Sequence, residues 1–308
     1  MYDLIIIGGG PGGVAAGVYA ARKKLRTLLV TKSFGGQSIV SGDIQNWIGD
    51  IRLSGVELAQ KLEAHVRAQQ ELEIIEGDVV ERVKKEEDGT FTITTKEKKT
   101  FETKTILVTA GSHRRRLGVP GEAKFEGLGV VFCATCDAPL FGGRTVAVVG
   151  GGNSGLEATV DLLQYAEHIY LLDRNGALKG DAVTQEKIRE SGKVTIVQNA
   201  LVEEVLGEAM VTGLRYTDKV TGEQKVLNVQ GVFVEIGAEP NSGFVEHLVE
   251  RNGYKEIVVD KKTQETSCKG IWAAGDVCDV LYKQNNISVG DAIKAVLNIQ
   301  EYLQKEVK

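Results

Sequence analysis

Cys133 and Cys136 are separated by Ala134-Thr135 and followed at once by Asp137. A Cys-x-x-Cys pair stores two electrons, closing to a disulfide and opening to a dithiol. A thiolate at a helix N-terminus has a lowered pKa and attacks or leaves more readily. Two other readings of these residues stay open at this level: inert buried thiols, and Asp137 as a simple helix N-cap. A zinc centre is not expected, because zinc takes about four ligands and the chain has no second Cys-x-x-Cys and no spaced His pair. Cys268 and Cys278 stand alone and read as small apolar residues. Four cysteines are too few for a disulfide scaffold but enough for one redox pair.

The pair stands just upstream of a glycine-rich turn, Gly150 to Gly155. A β-branched run from Arg144 to Val149 predicts the strand before it. Leu156 to Ala166 reads as a helix and His168 to Leu172 as the next strand. The same grammar opens the chain about 140 residues earlier: Asp3 to Ile7, the turn Gly8 to Gly13, a helix from Val14 to Lys24, and a strand from Arg26 to Val30. Gly8, Gly10 and Gly13, and again Gly150, Gly152 and Gly155, occupy the places of G-x-G-x-x-G. The first glycine permits the turn, the second lets backbone approach a pyrophosphate, and the third lets helix and strand pack closely. One such motif is a weak signal, but two in matching strand–turn–helix context make a strong one. With the cysteines between them, the motifs imply an electron path from a dinucleotide to a disulfide.

The other elements frame these units. Thr90 to Lys104 alternates as an antiparallel meander, and Ile106 to Gly111 and Gly231 to Gly237 read as buried strands. Gly270 to Asp276 precedes a helix expected from Gly290 to Gln304. The fold class is therefore α/β: two Rossmann-like dinucleotide-binding domains, the second inserted into the first. The expected divisions are 1–113 and 241–308 for the first domain and 114–240 for the second. The 37 glycines against 4 prolines point to tight turns rather than disorder. Net charge is −5, with no basic tract longer than Arg114-Arg115-Arg116, so nucleic acid is not an expected partner. Leu4 to Ala21 is uncharged, but its six glycines and one proline read as strand and turn, not as a membrane span or signal peptide. A cytoplasmic location is expected. His65, His113, His168 and His247 show no partner spacing and read as surface or packing residues, and Trp47 as a packing residue.

The order and spacing of Gly8 to Gly13, Gly35-Gly36-Gln37, Gln45-Asn46-Trp47, Cys133 to Asp137, Gly150 to Gly155, Gly275-Asp276 and Tyr282-Lys283-Gln284 resemble the low-molecular-weight thioredoxin reductase family. They are also similar to the catalytic portion of the alkyl hydroperoxide reductase flavoprotein subunit. The resemblance covers essentially the whole chain. It implies FAD in the first site, held by Gly8, Gly10, Gly13, Gly36, Gln37, Asn46, Asp276 and Gln284, with backbone near Val79 on the adenine side. It implies a nicotinamide in the second site and makes Asp137 the acid or base beside the Cys133–Cys136 disulfide. Cys136 is expected nearer the flavin, and Cys133 is expected to attack the partner. A thioredoxin-like protein is the implied partner and a homodimer the implied assembly. Domain rotation is implied too, with Gly111, Gly118, Gly237 and Gly243 at the two crossings. One departure stands out: Thr31-Lys32 replace the usual carboxylate for the adenosine ribose.

The second site chooses the donor. Asp173 lies 18 residues beyond Gly155, at the end of the next strand. A carboxylate there accepts from a ribose diol and repels a 2′-phosphate. NADPH-dependent thioredoxin reductases carry His-Arg-Arg at this place, whereas Asp173-Arg174-Asn175 stand here. NADH is therefore favoured over NADPH. Two rival readings share the same residues. One is an NADH-dependent reductase feeding a peroxiredoxin through a separate carrier, since the extra N-terminal thioredoxin-like domain is not seen. The other is a ferredoxin-driven thioredoxin reductase.

Overall fold

In a computed structural model the described residues are 1–41 and 44–306. The chain forms two compact units, Met1–His113 with Glu239–Lys308, and Arg114–Ala238.

The first unit opens with β1 (Tyr2–Ile7). Its side chains alternate between two cores, because successive residues of a strand point to opposite faces. Ile5 and Ile7 enter one core, and Leu4 and Ile6 the other. Helix α1 (Pro11–Arg22) begins three residues before the expected Val14. Pro11 is at home in its first turn, where its missing N–H has no intrahelical partner to lose. β2 (Thr27–Thr31) and β3 (Leu72–Glu76) extend the parallel sheet beside β1. Between them runs α2 (Gly55–Arg67), closed at its start by reciprocal bonds between Ser54 and Glu57. β4 (Val80–Lys85), β5 (Phe91–Thr95) and β6 (Thr100–Val108) form the antiparallel meander. The end of the expected meander and the strand expected from Ile106 share one continuous β6, which runs on parallel to β1. Thr103 and Thr105 do not break it, because each hydroxyl donates to a backbone carbonyl.

The chain crosses at β7 (Ser112–Arg114) into the second unit. There follow β8 (Val130–Val131), α3 (Ala134–Asp137), β9 (Thr145–Val149), α4 (Asn153–Leu162), β10 (His168–Leu172), α5 (Ala182–Glu190) and β11 (Val194–Val197). An antiparallel sheet of β12 (Ala200–Gly207), β13 (Val211–Asp218) and β14 (Gln224–Leu227) comes next, then β15 (Gly231–Val234). The parallel sheet runs β11-β10-β9-β15-β8, with Val146 and Val148 in one core and Ala147 and Val149 in the other. β16 (Ala238–Pro240) carries the chain back, paired with β7.

β17 (Ile271–Ala273) then joins the free edge of β6 in parallel. The last element, α6 (Asn285–Glu306), starts five residues before the expected Gly290. Its polar first turn resembles a loop in sequence, but Asn285 and Asn286 bond Ser38 and the Asn46 carbonyl. Among the described residues no helix is long and apolar enough to cross a membrane, and no cluster of three His, Cys, Asp or Glu could hold a metal.

Candidate active site

Each of the two glycine turns contains the same close approach within itself. A Cβ on Gly13 would fall 1.8 Å from the Gly8 oxygen, and one on Gly155 would fall 1.7 Å from the Gly150 oxygen. Only glycine brings α1 and α4 this close to the strands they follow. Neither helix has a side-chain cap or an acidic residue in its first turn. The first N–H groups of both therefore lack a side-chain acceptor, which suits a pyrophosphate.

Around the first turn, residues far apart in sequence meet. Gly36 lies against Gly10, where an added Cβ would come 3.3 Å from the Gly10 Cα. Gln37 Nε2 donates to Ser112 Oγ at 3.2 Å and to Asp276 Oδ2 at 3.5 Å. Asn46 Nδ2 donates to Gln284 Oε1 at 3.3 Å. Lys283 Nζ donates to the Asp276 carbonyl at 3.1 Å. Asp78 N–H donates to the Thr31 carbonyl, which sets Val79 beyond the end of β2. Gln37 with Asp276 and Asn46 with Gln284 thus form two polar pairs on the same unit as the Gly8 turn, and these residues fit an FAD. Trp47 packs on Ile44, Leu53 and Leu58.

The missing carboxylate has a clear geometry. A Cβ on Gly9 would meet Thr31 Oγ1 at 2.5 Å, and one on Gly151 would meet Asp173 Oδ2 at 2.2 Å. Thr31 and Asp173 therefore fill the same place in the two units. Thr31 directs its hydroxyl to the Ser33 carbonyl. Asp173 is buried, not a solvated strand end. Its Oδ2 accepts from Gly151 N–H at 2.8 Å and its Oδ1 from Asn175 N–H at 2.6 Å. Each oxygen keeps a lone pair for a further donor. Arg174 is exposed, and Lys179 N–H donates to the Gly151 carbonyl, folding this loop against the turn. These acceptor oxygens fit a ribose diol.

Cys133 and Cys136 form a disulfide with Cα atoms 5.3 Å apart. Cys133 is the N-cap of the short α3, and Asp137 N–H donates to the Cys133 carbonyl. Asp137 is buried, and its side chain makes no capping bond to the 3₁₀ turn Ala138–Phe141 that follows. Cys268 and Cys278 are free and buried, and burial pushes the Cys278 thiol up.

Sequence reasoning missed two carboxylates at this turn. Thr135 Oγ1 donates to Asp161 Oδ2 at 3.1 Å. Glu235, just beyond β15, is buried and faces the Ala134 N–H. Burial pushes its carboxyl up to about 7, aided by Asp137 and Asp161, while Arg114 and the Ala134 N–H pull it down. A raised carboxyl pKa favours the folded state at low pH. That contribution is complete below the ordinary carboxyl value and is lost as pH rises through about 7. The available signal was that Glu235 is the one charged residue in the apolar run 231–237.

The chain matches a known family model, described as pyridine nucleotide-disulphide oxidoreductase, over residues 2–295. The chain belongs to this family. Membership implies a flavin and a pyridine nucleotide as cofactors. The alkyl hydroperoxide reductase F subunit of Escherichia coli (strain K12) is 41% identical over 305 residues, covering 98% of this chain and 58% of that protein. A Bacillus subtilis (strain 168) protein named NADH dehydrogenase is 40% identical over 302 residues, again 98% and 58%. The chain thus spans less than two thirds of these relatives' length. The thioredoxin reductase of Streptococcus pyogenes has the same architecture, with TM-score 0.92 and 32% identity over 99% of both chains. The α/β fold with two Rossmann-type sheets is that of this family's oxidoreductases.

Proposed function

We propose that this protein reduces the disulfide of a thioredoxin-like partner, drawing electrons from NADH through FAD to Cys133–Cys136. The observation that carries this reading is the closed Cys133–Cys136 disulfide held in the same unit as the Asp173 nucleotide site. A bound FAD supplies the exchange of a hydride for an electron pair. The chain's residues do the rest. Gly8, Gly10 and Gly13 seat the pyrophosphate, Gly36 and Gln37 border it, and Asn46, Asp276 and Gln284 hold the flavin and its chain. The divisions 1–113, 114–240 and 241–308 become the flavin domain, the nicotinamide domain and the flavin domain's second part. Asp137 holds or releases a proton as the dithiol forms, and Cys133 attacks the partner disulfide. A homodimer in the cytoplasm completes the proposal.

Similarity to the alkyl hydroperoxide reductase F subunit supports a second reading, in which the partner is the thioredoxin-like carrier of a peroxiredoxin. Steady-state assays with oxidised thioredoxin, and separately with such a carrier plus peroxiredoxin, distinguish the two. Each is run with NADH, NADPH and reduced ferredoxin. Turnover of neither protein disulfide would overturn the proposal, and turnover with ferredoxin alone would replace its donor.

The donor is a separate expectation. Asp173 repels a 2′-phosphate, and only Arg174 and Lys179 are near in sequence to offset it. NADH is expected to exceed NADPH in kcat/KM by at least about tenfold, or ~1.4 kcal/mol. Stopped-flow flavin reduction with each donor measures this, and a preference for NADPH would reverse the assignment. Asp173→Ser is expected to narrow the gap and to weaken both donors. It removes the acceptor for Gly151 N–H and Asn175 N–H as well as the repulsion, at about 1 kcal/mol per lost bond.

A further inference from the structure

Acidic residues from three elements gather at the Cys133–Cys136 turn. Asp137 belongs to α3 itself, and Asp161 reaches Thr135 from α4. Glu235 follows β15 and Cys133 follows β8, neighbouring parallel strands with Phe233 beside Val131, so the buried Glu235 stands at the same sheet end as the disulfide turn, and Arg114 acts on it from β7. Arg114, Asp137 and Asp161 are the charged groups that act most strongly on Glu235. Glu235 is itself held firmly: its N–H donates to the Val149 carbonyl, and its own carbonyl abuts Gly150, where a Cβ would come within 2.3 Å. It therefore stands between the second nucleotide turn and the disulfide turn. A buried carboxylate in an otherwise apolar strand end calls for a role.

We propose that Glu235 is a positioning residue for the redox pair: it holds the Ala134 amide in place and, through its charge, sets how readily the opened cysteines ionise. The proposal rests on the disulfide-reductase reading and deepens it. Opening the disulfide breaks the S–S bond, takes up two electrons and leaves two thiolates, each becoming a thiol on binding a proton. Negative charge thus develops beside three carboxylates. An anionic Glu235 raises the energy of the thiolates and delays ionisation of the pair to higher pH, whereas a neutral side chain does not. Its carboxyl, pushed up to about 7, changes charge in the range where thiols begin to ionise.

The test needs no turnover. The protein is reduced with dithiothreitol, which closes to its own cyclic disulfide and supplies both electrons and protons. After the reagent is removed, the rate of alkylation by iodoacetamide is followed from about pH 5 to about pH 10. Peptide mass assigns the label to Cys133 or Cys136, and the double variant C133S/C136S supplies the blank for Cys268 and Cys278. Glu235→Gln is expected to move the midpoint down by roughly one pH unit, about tenfold more thiolate below both midpoints. It should also remove the inflection near pH 7 that is expected of the native protein. Glu235→Asp keeps the charge and is expected to retain the native midpoint. An unchanged midpoint in Glu235→Gln overturns the proposal alone, as does an equal shift in both variants, which marks a merely structural role. A pair that dithiothreitol cannot open, or that never recloses, overturns the proposal together with the disulfide-reductase reading.

Discussion

Cys133→Ser and Cys136→Ser are each expected to lower protein-disulfide reduction by about a thousandfold or more, since loss of a covalent nucleophile removes the step rather than slowing it. Either change leaves one sulfur, which can neither close a disulfide nor store an electron pair. The flavin contacts are expected to survive. Gln37, Asn46, Asp276 and Gln284 lie in the unit formed by Met1–His113 and Glu239–Lys308, and the cysteines lie in the other. The check is turnover with oxidised thioredoxin beside the flavin absorbance of each purified variant. Near-native turnover in either would remove the pair from the electron path. Loss of flavin in both would show that the two units are not independent in binding.

Gly155→Ala is expected to abolish useful nicotinamide binding while sparing the first site. A Cβ there would fall 1.7 Å from the Gly150 carbonyl oxygen, far inside van der Waals contact, and both atoms belong to the backbone of the turn. Relief requires α4 to move off β9, which separates the N–H groups at the helix start from the Gly150 loop. Overpacking of this kind costs typically 1–3 kcal/mol in stability, and a displaced pyrophosphate seat adds to the loss in affinity. Titration of the variant with NADH, followed by isothermal calorimetry, is expected to show affinity weakened by about a hundredfold or more. Flavin content should match the native protein. Unchanged NADH affinity would mean that the second turn is kept for packing alone, which is how a ferredoxin-driven enzyme would use it.

Much of this site was readable because its signals are local. The G-x-G-x-x-G turns, the strands alternating between two cores and the Cys-x-x-Cys spacing all lie within a few residues of one another. They obey the short periods of strand and helix. Boundaries were less legible where a local cue had two meanings. The glycines before Val14 read as loop but lead into a helix opened by Pro11. The expected meander stops at Lys104 and the next expected strand starts at Ile106, yet β6 runs through both, with the Thr103 and Thr105 hydroxyls donating to carbonyls within the sheet.

The sequence by itself determined the two glycine-rich turns, the Cys133–Cys136 pair and the insertion of one unit into the other, because each follows from residue type at fixed short spacing. Tertiary structure alone decided which distant side chains meet. Gln37 finds Asp276, and Asn46 finds Gln284, across more than 230 residues. It also decided that Asp173 is buried with both oxygens on backbone N–H groups, and that Thr31 fills the matching place in the first unit. Most of all it decided that Glu235 and Asp161 converge on the cysteine turn. No local period encodes such a meeting. It exists only once β15, α4 and α3 have packed on one sheet, where burial turns an ordinary carboxylate into a group that titrates near neutrality.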